Sequence, residues 1–406
     1  FCRGKKAVLV VEESQPDFIE QAIHAILRRG DVSTQVMGKS VLPMAGEYTS
    51  QVVLTGLQEF LRTQQPHGMA IDPLVSKVER LVSAKKQAAD LLGNAVPSRP
   101  PTFCTGCPER PVFSAIKIVD EEMGPTHVSA DIGCHSFATL APFNVGSTIM
   151  GYGLSLASSS AVASAFNQRV ISIMGDGGFW HNGLSSGVTN AVFNNDDSIL
   201  VIMKNGYSAA TGWQYLPSSK TSYRGVPAQM SIEKALKTLG VEWVETIRSY
   251  DVSTMAVALR RARSTKEKGL KVIVADGECQ LARQRRVRAA AAERLTAGKR
   301  LIEERFGVDD EVCTGDHSCI RLSGCPSLTI KDSLDALRTD TIATIDQGCV
   351  GCGLCGEVAH AARLCPSFYR TEIIKNPSMR DRLFARLRSF VIHALGSGRV
   401  GESSRA

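Results

Sequence analysis

Hydrophobic runs of two kinds alternate along the first two thirds of the chain. Short unbroken apolar runs, AVLVV (7–11), RVISIM (169–174), SILVIMK (198–204) and LKVIVA (270–275), have the length and β-branched content of buried strands. STQVMGK (33–39) and THVSADI (126–132) are weaker strands of the same kind. Between them lie longer stretches of helical period: 12–30, ending at Gly30, then 75–92, 108–123, 151–166, 181–193 and 232–240. Strands alternating with helices predict parallel sheets covered on both faces. The first 65 residues form a partial βαβ unit. A helix and the proline-rich run PSRPPTF mark a boundary over 66–101, and a full α/β domain occupies 102–282.

Beyond 282 the pattern changes. The basic, alanine-rich stretch 283–307 predicts a helical connector, and 308–370 is cysteine-dense with little helical period. Residues 379–395 give one amphipathic helix inside a C-terminal segment, 371–406. With 406 residues, two or three domains are expected. Hydrophobic content is 43% and charge 21%, ordinary values for a globular chain. A net charge of +7 without aromatic or motif context gives no case for nucleic acid, and no apolar run of about 18 residues predicts a membrane span. The opening FCRGKK has neither an initiator Met nor the pattern of a signal peptide, so the true beginning of the chain is expected to be missing; the localisation expected is cytoplasmic.

Each polar motif of the α/β domain follows a strand, where parallel sheets bind ligands. These are Gly133-Cys134-His135, Gly175-Asp176-Gly177, Asn205-Gly206-Tyr207 and Asp276-Gly277-Glu278-Cys279. Asp176 and Asn205 are hard oxygen donors on neighbouring strand ends. With the Tyr207 carbonyl, two phosphate oxygens and a water they would complete the octahedron of Mg²⁺. Gly175 and Gly177 let backbone approach a diphosphate, and the helix that follows offers amide donors. The alternative is a plain strand-to-helix turn with an asparagine in a later turn.

GDG with an asparagine after the next strand resembles the diphosphate motif of thiamine diphosphate enzymes. The segment Tyr207–Gln214, with Thr211 beside the cofactor, resembles 2-oxoacid:ferredoxin oxidoreductases. Within that family FCTGCPER, DIGCHSF and GDGGFWHNGL are most similar to the alpha subunits that act on indolepyruvate. The resemblance implies metal binding by Asp176, Asn205 and Tyr207, and places His135 and His181 near the thiamine as candidate catalytic groups. Lys204 and Glu109 depart from the family pattern, which has an acidic or amide residue and a histidine at those positions.

Cys104 and Cys107 form a CxxC, while Cys134 and Cys279 sit at strand ends on the same edge. Four thiolates suit either a [4Fe–4S] cluster or zinc. The resemblance implies a cluster close to the thiamine. Seven further cysteines fall between Cys313 and Cys365 as two CxxCxxC…CP units, the pattern of two-cluster ferredoxins. Exchange of the last cysteine gives one cluster on Cys325, Cys349, Cys352 and Cys355. The other takes Cys313, Cys319 and Cys365, with Asp316 in place of the middle cysteine. That predicts either an aspartate-ligated [4Fe–4S] or a labile site that becomes [3Fe–4S], with His317 a lesser candidate ligand. The fold expected is thus a parallel-sheet thiamine domain, preceded by a partial α/β domain and followed by a ferredoxin-like α+β domain over 308–370.

The resemblance implies oxidative decarboxylation of aryl 2-oxoacids such as indole-3-pyruvate, with CoA as co-substrate and a ferredoxin-like acceptor. Residues 1–65 resemble the end of the transketolase-C-like domain that separates the two thiamine-binding halves in this family. Val10-Val11-Glu12-Glu13 and Gly38–Pro43 carry that likeness. The expectation is a C-terminal portion, inactive alone. It would need an N-terminal domain for the aminopyrimidine of thiamine and a second subunit or fused domain for acyl transfer, in an oligomer. Rival readings are a non-oxidative thiamine decarboxylase, an electron-transfer subunit with an inactive thiamine-like domain, and a zinc-binding interaction protein.

Overall fold

The computed structural model describes residues 1–13, 16–66, 68, 70–93, 101–227 and 230–395. The chain divides into two compact units, Phe1–Pro100 and Pro101–Ala406. In the first, β1 (Ala7–Leu9) pairs parallel with β2 (Gln35–Met37) across the helix Phe18–Arg29, the βαβ arrangement expected. Two helices follow, Ser50–Gln64 and Asp72–Leu92. Most of the proline-rich run lies outside the described residues.

The second unit is built on a six-stranded parallel sheet. Its strands are β3 (Val128–Ala130), β4 (Thr148–Ile149), β5 (Ile171–Gly175), β6 (Ile199–Lys204), β7 (Trp243–Arg248) and β8 (Lys271–Asp276). They lie in the order β4-β3-β5-β6-β8-β7. Strand alternation sorts the side chains into two cores. Ile171, Ile173, Ile199, Val201, Met203 and Ile273 face the helices Arg110–Met123 and Val252–Ser264. Met174, Leu200, Ile202, Val272 and Val274 face the other way, with Leu156, Val188 and Leu236. Each fully buried aliphatic side chain contributes about 1.5–3 kcal/mol. That is why these runs are almost wholly apolar on both faces; a buried exception, Ser172, donates to Ser159 Oγ (2.6 Å).

Two expectations need correction. The connector over 283–307 is helical only from Gln280 to Thr296; Gly298, at φ +66°, stops it. The residues that follow form β9 (Leu301–Val308). Within the cysteine-rich region lie β10 (Leu328–Lys331) and β11 (Ile342–Ile345), an antiparallel pair. β12 (Phe368–Lys375) then pairs antiparallel with β9, setting the Tyr369 ring over Gly307 where a Cβ would clash. The same region holds two helices that its weak period hid, Ser318–Ser323 and Leu354–Arg363. The edge strands β4 and β7 were also unread.

The cysteine-rich segment is packed onto the sheet domain. Leu322, Leu354 and Val358 belong to the same core as Phe113, Ile116 and Leu259. Arg110 donates from Nη1 to the Ser323 carbonyl (2.9 Å), and Ser114 Oγ to the Leu322 carbonyl (2.7 Å), both fully buried.

Candidate active site

The carboxyl ends of β3, β5, β6 and β8 converge on one rim. Asp176 directly follows β5 and Asn205 directly follows β6, its neighbour in the sheet. The Gly206 amide donates to Asp176 Oδ2 (2.7 Å) and the Gly177 amide to Oδ1 (3.0 Å). Asn205 Oδ1 accepts from the Tyr207 amide (3.0 Å). Burial pushes the Asp176 carboxyl up to about 7, with the charge of Glu109 adding to it and the Gly206 and Gly177 amides drawing it back. A buried carboxylate with no cationic side chain bonded to it is a good first ligand for a divalent ion, whose charge would reverse that shift.

Around this pair lies a cavity of about 280 Å³, lined among others by Glu109, Cys134, His135, Tyr152, Asp176 and Thr211. The backbone from Asp176 onward is already helical, with wide π-type turns over Phe179–Val188. A Cβ on Gly177 would fall 2.1 Å from the Tyr152 hydroxyl, and one on Gly178 would fall 2.0 Å from Asp131 Oδ2. Both positions need glycine for close approach.

A buried polar network that the sequence reading missed supports the pair. Asp131, at the end of β3, accepts from the Gly153 amide (2.8 Å) and holds His135 Nε2 at 2.6 Å. His135 Nδ1 lies 3.8 Å from Glu109 Oε2. Glu109 Oε1 accepts from Asn205 Nδ2 (3.0 Å), while Oε2 is buried without a hydrogen-bond partner. Burial alone would lower the His135 pKa; the bond to Asp131 and the Asp131 and Glu109 charges win and raise it. Burial raises Glu109, against the opposing influence of His135 and Asn205. The residue that departs from the family pattern is thus the hinge of the network.

Of the two histidines proposed as catalytic, His135 lines the cavity. His181 is exposed and stacks on the far ring, Tyr152, at 5.2 Å between centroids. Thr211 Oγ1 donates to Gln214 Oε1 (2.8 Å). Lys204 is neutralised by Glu233 (3.1 Å) and Asp276 (3.2 Å) and adds no net charge to the rim.

Cys104, Cys107, Cys134 and Cys279 line a small adjoining cavity with Phe103, Phe137 and Trp213. The Cys279 amide donates to the Asn205 carbonyl (3.0 Å), so the main chain of one of these cysteines lies directly against that of Asn205. Burial, Glu109 and the neighbouring Cys279 and Cys104 together push the Cys134 thiol up to about 12. Among the other seven cysteines, Cys355 and Cys319 have thiols raised by burial and by neighbouring cysteines. Cys355 is raised by burial and by Cys325, Cys352 and Cys349; Cys319 is raised to about 11 by burial, with Cys313, Cys365 and Asp316 adding to it. Thiols that raise one another's pKa fit groups whose common ligand is a cationic centre. Asp316 Oδ1 and Oδ2 both accept from Ser318, and His317 Nε2 lies on the Thr341 carbonyl (3.1 Å). All twelve cysteines are free thiols. Among the described residues no three His, Cys, Asp or Glu side chains are set to hold a single metal ion.

The family description "thiamine pyrophosphate enzyme, C-terminal TPP binding domain" matches residues 131–275, the sheet and rim just described. Curated relatives named "indolepyruvate oxidoreductase subunit IorA" cover most of the chain. The Archaeoglobus fulgidus protein is 30% identical over 90% of this chain, and the Pyrococcus horikoshii protein 26% identical over 88%. This chain spans about half the length of these relatives, 52% of each. A solved 2-oxoglutarate:ferredoxin oxidoreductase from Magnetococcus marinus is 20% identical at a TM-score of 0.40, covering 45% of this chain and 66% of that one. That likeness is too loose to carry weight. Residues 131–275 thus match a thiamine pyrophosphate-binding domain, on the rim where the oxygen pair lies. Over about nine tenths of its length the chain is similar to the indolepyruvate oxidoreductase IorA subunits.

Proposed function

We propose that the chain is the diphosphate-binding and electron-transferring portion of an enzyme that oxidatively decarboxylates aryl 2-oxoacids, indole-3-pyruvate among them, to acyl-CoA and CO₂. Thiamine diphosphate, when bound, supplies the electron sink for decarboxylation. Asp176, Asn205 and the Tyr207 carbonyl hold Mg²⁺, and Gly175, Gly177 and Thr211 meet the diphosphate. Glu109 and Asp131 hold Asn205 and His135 in place around the cavity. Cys104, Cys107, Cys134 and Cys279, then Cys325, Cys349, Cys352 and Cys355, and Cys313, Cys319 and Cys365 with or without Asp316, would hold clusters, whose chemistry would be single-electron transfer toward a ferredoxin-like acceptor. The aminopyrimidine half of the site and the acyl transfer to CoA come from other domains or subunits. No described helix is long and apolar enough to cross a membrane, in keeping with a cytoplasmic setting.

The observation that carries this reading is the 3.0 Å bond from the Cys279 amide to the Asn205 carbonyl. It sets the main chain of Cys279 against that of Asn205 on one rim. Anaerobic purification followed by iron and acid-labile sulfide assay tests the electron-transfer half. The complete enzyme should then reduce a viologen dye with indole-3-pyruvate only when CoA and Mg²⁺–thiamine diphosphate are present. Zinc in place of iron, or dye reduction without CoA, would count against the proposal.

A further inference from the structure

Arg110 is the residue whose surroundings the proposed chemistry leaves unexplained. Its side chain is fully buried at the start of the helix Arg110–Met123. Nη1 donates to the Ser323 carbonyl at 2.9 Å, but Nε and Nη2 are buried with no hydrogen-bond partner. A guanidinium carries five N–H donors and cannot shed its proton, so burying it with donors idle costs heavily unless an anion meets them.

The anions available are the cysteine groups on either side. Arg110 lies three residues after Cys107, and the Ser323 carbonyl that its Nη1 meets lies two residues before Cys325. The two cysteine loops touch here. A Cβ on Gly106, between Cys104 and Cys107, would come within 2.5 Å of Val350, between Cys349 and Cys352. Tyr250 Oη closes the same junction by donating to the Gly106 carbonyl (2.6 Å). No carboxylate pairs with Arg110 among the described ion pairs.

We propose that Arg110 is a positioning residue for electron transfer between the two neighbouring clusters. With clusters bound on the Cys104/Cys107/Cys134/Cys279 and Cys325/Cys349/Cys352/Cys355 groups, its idle Nε and Nη2 donors would be left for the cluster sulfurs, raising both reduction potentials together. When clusters are bound, the fixed cation would favour the reduced form of each, and an electron lost by the first would be the one gained by the second. The inference rests on the iron–sulfur reading given above.

The test is an EPR-monitored redox titration of the anaerobic protein, wild type against R110Q and R110K. R110Q removes the charge, and both neighbouring midpoints should fall, each by about tenfold in the reduction equilibrium, or 59 mV for a one-electron couple. R110K keeps the charge and should hold both within about threefold. R110Q midpoints equal to the wild type, or a shift in only one cluster, would overturn the inference. A second readout needs no variant. In wild-type protein grown with ¹⁵N-guanidinium arginine, electron spin-echo spectra of the two reduced clusters should each show ¹⁵N coupling, and its absence from both defeats the proposal. Protein that contains no iron or sulfide fails at the earlier step, the iron–sulfur reading itself.

Discussion

Removing the Glu109 carboxylate separates the role of the buried network from that of the fold. In Glu109→Ala, Asn205 Nδ2 loses its acceptor and becomes a buried, unsatisfied donor. Such a group costs about 1–3 kcal/mol. The amide escapes that cost by rotating, which takes Oδ1 out of the metal position. At 1.4 kcal/mol per tenfold, Mg²⁺–thiamine diphosphate affinity should weaken by about 5- to 150-fold. Fold stability should change far less, because the substitution also removes a buried carboxyl with one oxygen unpaired. Glu109→Gln keeps an oxygen that can accept from Nδ2 and should bind within about threefold of wild type. Calorimetric titration of the complete enzyme, beside thermal melts of each variant, reads both quantities. An alanine variant that binds as tightly as wild type, or a glutamine variant that binds as poorly as the alanine one, would refute the reasoning.

Two other outcomes follow from ion pairing and cysteine exchange. Asp197, despite burial that raises its pKa, is held well below the usual carboxylate range by Arg169, Lys271 and Lys268. Its stabilising effect is complete above the unfolded-state pKa of about 3.9 and fades as pH falls below it toward the depressed folded value. Asp197→Asn strands the buried Lys271 and should cost about 3 kcal/mol at pH 7, with the gap to wild type closing in acid by denaturant unfolding. Cys325→Ser should remove the cluster on Cys349, Cys352 and Cys355 from the EPR spectrum and spare the one on Cys313, Cys319 and Cys365, although Cys325 is nearer Cys319 in sequence; loss of the latter alone would refute the exchange.

The sheet was legible because its central strands are buried on both faces. Ile199–Met203 has no polar residue to disguise its period, and neither does Val272–Ala275. Edge strand β7 was hidden because one side faces solvent, so Glu245 and Thr246 interrupt the run. β9 reads as helix in LIEERFG because its partner, β12, lies some sixty residues on and contributes nothing to the local pattern. At the site, strand ends followed by glycine gave Asp176, Asn205, Cys134 and Cys279, since those positions depend on sheet topology alone. Glu109 and Asp131 were not assigned roles. Their meaning lies in side-chain bonds across 96 and 22 residues, to Asn205 and Gly153, which no spacing encodes. The exposed setting of His181 depends in the same way on how the turns after Asp176 widen.

The account turns on a cation site and a cluster site sharing one rim. The direct measurement substitutes Mn²⁺ for Mg²⁺ in the anaerobic enzyme and follows Mn²⁺ spin relaxation as the clusters are reduced. With the Cys279 amide bonded to the Asn205 carbonyl, reduction should speed Mn²⁺ relaxation in wild type but not in Cys279→Ser, while Asp176→Ala should abolish Mn²⁺ binding. Mn²⁺ that binds through Asp176 yet relaxes at the same rate whatever the state of the clusters would contradict it.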